Sequence, residues 1–563
     1  MTRRFMGVGM LAVIGLMTAT VGAQSFRVQC PATTLTHPGA NESEPPYNGA
    51  TVFNNANSSD NNAYLTPQTN INGAIKCQQI SGGDGYATMA DGTQTYMFSF
   101  GPLSGLTDIA KGLPGTQFPG VFNTPYGGAS PLVPGDPATS GLTDYNGAVG
   151  IAPDIDNNGA MDGHVDARQI MDVAVMNGNI PAPLMAIDED DEFFLTLTNV
   201  GMIMRPDLFE QHTVHFHGYP NASAFYDGVP DASVAINIGG SFTYYYLAPD
   251  AGTYFWHCHI TPPEHLQMGM VGQIYVRPRQ NRVPTGTSLY AALQKQQGDL
   301  RTACNPAADI VCTNSLPPAD NLTDGGYVQD LTGPQCTAGV KPPNCNPNYG
   351  TWSVTKMFAY NDGDGSTAYD VEYPLQIHGF DPNFHFVGMT FNPEGFADMK
   401  DKYFLLNGRS YPDTVYSGSK DTPTSQAMQT QSADGASHFS QPLSANINIP
   451  AGGKALLRIS DLDVSEYQTL ASLGIPMHVI GYNAKLLRDQ DGNNMYYDTN
   501  SITLGGGESL DLILDATGYT APQTFYLYTP NLDHLVNDAE NFGGLMTEVH
   551  ICNSVDPQTK ACN

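Results

Sequence analysis

Positive charge is scarce in this 563-residue sequence. Lysine and arginine number 23 against 54 aspartates and glutamates, which gives a formal net charge of -31 at pH 7. Charged residues make up only 14% of the chain, and no apolar run approaches the roughly 20 residues needed to span a bilayer. The sequence therefore argues against nucleic acid and anionic membranes as partners, predicts no membrane span, and favours cations and metal ions.

Long amphipathic helical patterns are also scarce, and the best one lies at residues 287–297. Hydrophobic residues make up 41% and aromatics 10% of the chain, with 59 glycines and 41 prolines. This composition argues against coiled coil and disorder. Short runs of aromatic and β-branched residues, separated by Gly, Pro or Asp, predict an all-β fold with two β-sandwiches.

The distribution of these runs divides the chain into five segments. Arg3 and Arg4 precede a short apolar run, and small residues follow at 21–23, which is typical of a secretory signal. The first strand is predicted at residues 93–100, and another at residues 172–178. The predicted segments are a signal peptide (1–23), an irregular N-terminal extension (24–92), a first sandwich with a long loop insertion (93–280), a Pro/Cys-rich linker (281–350) and a second sandwich (351–563).

Export to the periplasm or the extracellular space changes how the nine cysteines are interpreted. Eight of them lie in loop-rich or terminal segments, which suits disulfides in an oxidising compartment. The predicted pairs are Cys30–Cys77, Cys304–Cys312, Cys336–Cys345 and Cys552–Cys562. Cys258 is left without a partner and lies between two histidines.

Histidines cluster in one part of the chain, where six of the 14 fall between residues 212 and 265. A strand directs residues i and i+2 to one face and residues i and i+3 to opposite faces. In the motif HTVHFHG, His215 and His217 therefore share one face, and His212 points to the other.

The motif WHCHITPPEHLQMGM follows the same rule. His257 and His259 share one face of the predicted strand, and Cys258 points to the opposite face. If this strand lies beside HTVHFHG, the candidate ligands sort into two sets. Because Cys258 lies between two members of one set, its backbone provides a short covalent path from one set to the other.

One set combines a thiolate, two imidazoles and a thioether, which suit a copper electron-transfer centre. Its members are His212, Cys258, His265 and Met270. Met268 is the competing thioether, and methionine is also a common core residue. The other set is four imidazoles, which suit copper or zinc and leave positions open for a small ligand. Its members are His215, His217, His257 and His259.

Two simpler explanations are weaker. A zinc hydrolase needs an acidic residue near the histidines, and none completes such a site here. Six structural histidines do not explain the consistent sorting by strand face, or the unpaired cysteine among them.

Residues 172–280 resemble the copper-bearing, plastocyanin-like cupredoxin domain of the multicopper oxidase family, which includes laccases, metal oxidases and related copper nitrite reductases. The motifs MNGNIPAP, HTVHFHG, DGVP, GTYFWHCH and HLQMGM follow the order used in that family. Residues 351–563 are similar to a later domain through FLLNGRSYP, ALLRISD and MHVIGYNAKLLRDQDG. The resemblance implies two cupredoxin-like Greek-key sandwiches.

The resemblance also implies roles for the two sets. The set that contains Cys258 would ligate a type 1 copper that accepts electrons one at a time from a donor. The four histidines would form one half of a type 2/type 3 copper cluster that reduces dioxygen to water. The implied donors are small cations, such as reduced manganese, iron or copper, or phenolic compounds.

The second block departs from the family pattern because the paired histidines that complete such a cluster are missing. MHVIGY keeps His478, and LYTPNLDHLVNDAENFGG keeps His534. The spacing from His534 to Gly543 is similar to that around the histidine that nitrite reductases lend across a trimer interface. His378 and His385 are spare candidates, for which a structural role is favoured.

Two alternatives to the oxidase therefore stay open. One is a nitrite reductase-like enzyme, whose single type 2 copper is held by His217, His257 and the His534 of a neighbour in a homotrimer. Against it, His215 occupies the place of a proton-donating aspartate in that family. The other is a non-enzymatic electron-transfer or copper-binding protein.

Overall fold

The structure is a computed structural model, and it describes residues 28–34, 36–39, 42–47, 72–124, 145–151, 167–218, 223–248, 250–284, 327–329, 334, 352–354, 357–390, 395–416, 429–431 and 437–563. The predicted signal peptide, the candidate helix at 287–297 and most of the predicted linker lie outside these residues. So do the predicted pairs Cys304–Cys312 and Cys336–Cys345.

The first sandwich is built from strands that come early in the described chain. Its strands are β1 (Ile75–Thr88), β2 (Gln94–Pro102), β3 (Met185–Asp188), β4 (Glu192–Gly201), β5 (His215–Phe216), β6 (Ser241–Leu247), β7 (Gly252–His257) and β8 (Val271–Arg277). One sheet has the strand order β2-β1-β4-β6, and the other has the order β3-β8-β7-β5. A continuous apolar core fills the space between them and includes Trp256, Cys258, Met268 and Met270.

Short helices and strand pairs connect these elements. The helices are α1 (Leu106–Ala110), α2 (Pro119–Phe122), α3 (Ala167–Ala174), α4 (Pro262–Gln267) and α5 (Pro382–Met389). The strand pairs are β9 (Tyr327–Gln329) with β10 (Trp352–Val354), β11 (Met357–Phe358) with β12 (Ala368–Tyr369), and β15 (Gln429–Gln431) with β16 (Ser437–Phe439).

The second sandwich occupies the C-terminal part of the described chain. Its strands are β13 (Val371–Phe380), β14 (Tyr403–Leu406), β17 (Ile447–Pro450), β18 (Lys454–Asp461), β19 (Gln468–Leu473), β20 (Met477–Tyr482), β21 (Lys485–Leu486), β22 (Tyr497–Thr499), β23 (Ser501–Leu504), β24 (Ser509–Asp515), β25 (Gln523–Tyr528) and β26 (Met546–Cys552). One sheet has the order β14-β13-β18-β24-β20-β21, with β22 beside β20, and the other has the order β17-β26-β25-β19-β23. The predicted all-β fold with two cupredoxin-like sandwiches is confirmed.

The two sandwiches meet through one sheet of each. Strands β7 and β8 lie against β13, β18 and β24. Gln273 Nε2 donates to Ser460 Oγ at 2.8 Å, and Ser509 Oγ donates to the Thr253 carbonyl at 2.6 Å. Because buried polar groups need such partners, these bonds fix one register between the sandwiches. Among the described helices, none combines the length and hydrophobicity that a membrane span requires.

The prediction of an irregular extension over residues 24–92 is wrong at β1. This strand pairs in parallel with β4 and antiparallel with β2. Its sequence shows no alternation of apolar residues, because both faces are buried and glycines accept close neighbours. A Cβ on Gly82 would lie 2.6 Å from Cδ2 of His212, and one on Gly85 would lie 2.7 Å from the Gly178 carbonyl oxygen.

The strand predicted at residues 172–178 is also wrong, since α3 covers its first part. Ile170, Val173 and Ala174 are buried together with Leu103 and Leu106. Their spacing of three and four residues is that of one helix face. The alternation that predicted a strand from residue 172 comes from the C-terminal end of this helical pattern. The remaining boundaries of the predicted segments stay predictions.

Candidate metal centres

The thiolate centre consists of His212, Cys258 and His265, whose ligand atoms lie within 4.8 Å of one another. His212 precedes β5, Cys258 follows β7, and His265 lies on α4. His265 Nδ1 lies 3.2 Å from the Cys258 sulfur, and His212 Nδ1 lies 4.0 Å from it. All three residues are fully buried. Tertiary packing thus joins residues that the sequence places in three separate elements.

The donor set of the thiolate centre fits a soft metal ion. Cys258 is the free cysteine among the described residues, and its sulfur accepts the Thr213 backbone N–H at 3.4 Å. The Nδ1 atoms of His212 and His265 are the nitrogens that face this sulfur, and their Nε2 atoms have no hydrogen-bond partner among the described residues. Two imidazoles and one thiolate in a dry site suit copper and are poor ligands for hard cations.

The predicted thioether, Met270, lies beside this centre. The Cys258 N–H donates to the Met270 carbonyl at 3.1 Å, and the Met270 N–H donates to the His265 carbonyl at 2.8 Å. Met268 is equally buried and belongs to the same apolar core. The backbone contacts support Met270, and its role as the axial ligand stays a prediction.

Electrostatics distinguish the two imidazoles of the thiolate centre. Burial, together with the proximity of His265, holds the pKa of His212 well below its usual value. Burial also opposes charge on His265, but the negative sulfur of Cys258 outweighs it and raises the pKa of His265 to about 10. A metal ion that binds here must therefore displace a proton from His265.

The histidine cluster consists of His215, His217 and His257, with His259 at its edge. The ligand atoms of the first three lie within 4.8 Å of one another. Residues His215 and His257 are directly paired between β5 and β7, and the Nε2 atoms of His217 and His257 lie 3.0 Å apart. The ring of His259 lies 5.1 Å from that of His215, centroid to centroid.

Backbone carbonyls orient two of these rings. His215 Nδ1 donates to the Asp227 carbonyl at 2.7 Å, and His257 Nδ1 donates to the Cys258 carbonyl at 2.6 Å. A proton on Nδ1 leaves a lone pair on Nε2, as metal-binding histidines require. Burial lowers the pKa of His217 to about 4 and holds that of His257 well below its usual value, so both are neutral near pH 7.

A cleft of about 680 Å³ opens beside the histidine cluster, between the two sandwiches. Its first wall comes from the ends of β5 and β7 and from α4, and it includes His217, His257 and His259. Its second wall comes from residues 463–467 and 505–508 of the second sandwich. Gly507, with φ at +88°, permits close contact, since a Cβ there would lie 2.9 Å from Nδ1 of His217.

His534 lies away from the histidine cluster. It is buried in the second sandwich, stacked on Phe404 with ring centroids 3.9 Å apart. Its Nδ1 bonds to Gln468 Oε1 at 2.8 Å, and its Nε2 bonds to Glu466 Oε2 at 2.9 Å. With both nitrogens engaged, His534 is not placed to ligate the copper of a neighbouring chain.

The spare histidines have structural surroundings. His378 Nε2 donates to the carbonyl of Leu266, which lies on α4, at 3.0 Å. The two nitrogens of His385 contact the carbonyl oxygens of Tyr96 and Gln267 at 2.6 and 2.9 Å. These contacts tie the second sandwich to the helix that carries His265. The structural role favoured for both histidines agrees with these contacts.

Sequence reasoning missed the second wall of the cleft. Asp463, Ser465 and Glu466 lie just beyond the end of β18, and Glu508 follows three glycines. The run GGGE was the available signal, since consecutive glycines often mark a close approach between segments. The sequence does not show which segment these glycines approach, because that depends on how the two sandwiches dock.

Part of the chain is similar to known copper proteins. Residues 160–281 match the family model described as multicopper oxidase. A multicopper oxidase of Talaromyces pinophilus is 31% identical over 162 residues, which cover 28% of this chain and 24% of the relative. A copper-containing nitrite reductase of Rhizobium meliloti is 35% identical over 109 residues, which cover 18% of this chain and 26% of the relative.

A structural likeness extends further along the chain. The blue copper oxidase of Nitrosomonas europaea aligns over 84% of this chain and 85% of its own, with a TM-score of 0.44 and 16% identity. The chain spans about a quarter of the length of the two relatives named above. The match to the multicopper oxidase family model, over residues 160–281, includes the residues of both candidate centres.

Proposed function

We propose that this protein is an exported copper-dependent oxidoreductase that takes electrons one at a time from a donor and passes them to dioxygen. One observation carries the proposal. Cys258 contributes its sulfur to the thiolate centre, while the flanking His257 and His259 belong to the histidine cluster. Two metal centres of different chemistry would thus be linked through adjacent residues of one strand end.

The proposed metal is copper at both centres. His212, Cys258, His265 and Met270 would hold one ion, and His215, His217, His257 and His259 would hold the other site. Bound copper would supply one-electron redox chemistry at the first centre and the reduction of dioxygen at the second.

The chain itself provides three conditions for this chemistry. Full burial keeps water away from the Cys258 sulfur, while the histidine cluster opens to a cleft that admits a small acceptor. The bond from His257 Nδ1 to the Cys258 carbonyl shortens the path between the centres. Neutral imidazoles in the cluster present lone pairs to a metal ion without first losing a proton.

The acidic character of the chain supports a cationic electron donor. The Glu210 carboxylate, which is 26% exposed, lies 3.8 Å from Nε2 of the buried His265. A donor that contacts Glu210 would lie close to a ligand of the thiolate centre. The net charge of -31 attracts cationic donors, such as reduced metal ions, and repels anionic organic donors.

Nitrite reduction is the second candidate, because one observation favours a single ion at the histidine cluster. Among the described residues that line the second wall of the cleft, none is a histidine. Three imidazoles of one chain would then hold one copper, without a contribution from His534. The buried, fully bonded position of His534 gives no support to a homotrimer with shared sites.

Disulfides support export. Cys30–Cys77 and Cys552–Cys562 form in the structure as predicted, and such bonds persist in oxidising compartments.

Copper analysis, electron paramagnetic resonance and acceptor assays on the purified protein test the proposal. We expect an intense thiolate-to-copper absorption that Cys258→Ser abolishes. His217→Ala should keep this absorption and lower oxygen uptake at least about a hundredfold, since only the second centre changes.

Three outcomes separate the candidates. Oxygen uptake coupled to donor oxidation supports the oxidase. Nitrite reduction without oxygen uptake supports the second candidate. A blue protein that reduces neither acceptor is an electron carrier, and retention of the blue absorption in Cys258→Ser would refute the assignment of the thiolate centre.

A further inference from the structure

Helix α4 carries His265, but it is too short to hold that ligand in place by itself. It has six residues, and no side chain caps its N-terminus with a hydrogen bond. Helices of this length are not stable on their own in water, so tertiary contacts must set the position of α4. The source of these contacts therefore determines where His265 lies relative to the Cys258 sulfur.

The second sandwich holds the C-terminal turn of α4. The carbonyl oxygens of Leu266 and Gln267 lie 3.0 and 2.9 Å from the Nε2 atoms of His378 and His385, respectively. His378 belongs to β13, and His385 belongs to α5. Carbonyl groups in the last turn of a helix lack partners within the helix, and here two imidazoles from outside contact them.

The Gln267 side chain makes the most specific contact between α4 and the second sandwich. It is fully buried, its Nε2 donates to Asp401 Oδ1 at 2.9 Å, and its Oε1 accepts the Asp381 N–H at 3.1 Å. A buried amide that is bonded at both ends has one orientation, because a half-turn would place oxygen against oxygen. Gln267 lies two positions after His265, so these bonds fix the turn of α4 that carries the ligand.

Asp401 is held in turn by the packing of the second sandwich. Its side chain lies two residues before β14, and the residue is 5% exposed. Asp401 Oδ2 accepts the hydroxyl of Ser465. A Cβ on Gly379 would overlap this oxygen, so glycine at that position of β13 leaves room for the carboxyl group. The acceptor that Gln267 meets therefore has a fixed position.

We propose that Gln267 and Asp401 are positioning residues for the metal ion of the thiolate centre. Their hydrogen bond holds α4 so that Nδ1 of His265 stays beside the Cys258 sulfur, at 3.2 Å. Among the described residues, the second sandwich supplies no member of either centre. It thus sets the coordination geometry of an ion that the first sandwich binds. This inference rests on the proposed function, because it requires a metal ion at the thiolate centre.

Titration of the copper-free protein with Co²⁺ tests the proposal. Thiolate-to-cobalt absorption reports both the occupancy and the geometry of a site that contains Cys258, and Cys258→Ser should abolish it. Gln267→Met keeps the approximate size of the side chain and removes both of its hydrogen bonds. We expect this variant to bind Co²⁺ roughly 10–100-fold more weakly, as is typical when a group that orients a metal ligand is lost. The absorption bands of the saturated variant should also be shifted.

Gln273→Met is the matched control. Gln273 is equally buried and donates across the same interface, to the Arg458 carbonyl and the Ser460 hydroxyl, but it lies on β8. This variant should lose stability without a change in Co²⁺ affinity or in the absorption bands. Asp401→Asn keeps an oxygen for the Gln267 amide and should retain the bands of the original protein.

The double variant Gln267→Met/Asp401→Leu serves if Gln267→Met does not fold. It replaces both partners of the hydrogen bond by apolar groups of similar shape, and such a replacement is close to neutral for stability. Because the bond is absent, its Co²⁺ affinity should fall and its bands should shift.

Unchanged affinity and unchanged bands in the double variant, or in a folded Gln267→Met protein, would overturn the proposal. An equal shift in Gln273→Met or a shift in Asp401→Asn would also overturn it, and so would the absence of thiolate-to-cobalt absorption in the original protein. The acceptor assays test the proposed function separately. A protein that binds Co²⁺ through Cys258 but, with copper, reduces neither dioxygen nor nitrite would refute the proposed function and leave this inference intact.

Discussion

At the scale of single residues, Cys258 determines how the two centres are related. Its sulfur and the ring of His257 diverge from adjacent positions at the end of β7, so each serves a different centre. The sulfur is buried in the apolar core, where it accepts the Thr213 N–H and lies 3.2 Å from Nδ1 of His265. Cys258 therefore belongs to one candidate centre while the adjacent His257 belongs to the other.

His534 distinguishes a histidine cluster that one chain forms by itself from a copper site shared between two chains. We expect His534→Ala to leave the copper content per chain unchanged, because the residue lies outside the histidine cluster. It should lower the free energy of unfolding by about 2 kcal/mol, since the stacking on Phe404 and two hydrogen bonds are lost. Metal analysis and urea unfolding measure the two effects.

His257→Ala is the matched control for this substitution, since it removes a member of the histidine cluster. It should lower the copper content by about one ion per chain. A comparable copper loss in His534→Ala would restore the shared-site hypothesis.

At the scale of elements, β1 is the central feature of the first sandwich. It lies between β2 and β4, and Gly82 on it contacts the His212 ring. The Cys30–Cys77 disulfide ties the preceding segment to this strand across 47 residues. The thiolate centre therefore depends on a strand that carries none of its ligands.

The two described disulfides should stabilise the protein to different extents, because they close loops of different length. The loop-entropy model gives about 4 kcal/mol for the separation of 47 residues and about 3 kcal/mol for that of 10 residues. We expect the double Cys→Ser variant at Cys30 and Cys77 to lose more stability than the one at Cys552 and Cys562. Urea unfolding under identical conditions measures both losses, and a reversed order would contradict the prediction.

At the scale of the whole molecule, a charge network centred on the buried Glu372 carboxylate joins the two sandwiches. The Glu372 carboxylate lies 2.9 Å from Nη2 of Arg277 and 2.7 Å from Nε of Arg458. Arg277 belongs to the first sandwich, and the other two residues belong to the second. Breaking such a buried network costs more than a surface ion pair does, because uncompensated charges remain.

Acid should weaken the interface between the sandwiches through Glu372. Burial alone would raise its pKa, but the two guanidinium groups outweigh burial and lower the pKa from 4.5 to about 2. A lowered pKa stabilises the folded state above pH 4.5, and this contribution is lost as the pH falls towards 2. The shift corresponds to about 3 kcal/mol of unfolding free energy.

Glu372→Gln tests this dependence. The variant should be less stable at pH 7 and should lack this part of the decline between pH 4.5 and 2, as followed by denaturant unfolding at each pH. Glu540→Gln, at an exposed position, should keep the profile of the original protein. An unchanged profile in Glu372→Gln would exclude the network as its source.

Much of the candidate site could be predicted, because the spacing of residues along a strand determines which face each side chain occupies. Alternation along HTVHFHG and WHCH separated the Cys258 side from the His257 side before any packing was known. The wrong predictions lie where tertiary packing, and not the local sequence pattern, determines the secondary structure. Strand β1 is buried on both faces and therefore shows no alternation of apolar and polar residues. Helix α3 is too short to show a clear helical periodicity.

The sequence by itself determined which side chains are available as ligands and to which side of a strand each one points, because covalent geometry sets both. The tertiary structure alone decided that both nitrogens of His534 are engaged within the second sandwich. It also decided that an acidic wall faces the cluster. These outcomes depend on how two sandwiches dock, which is fixed by long-range packing and buried polar contacts that no local pattern encodes.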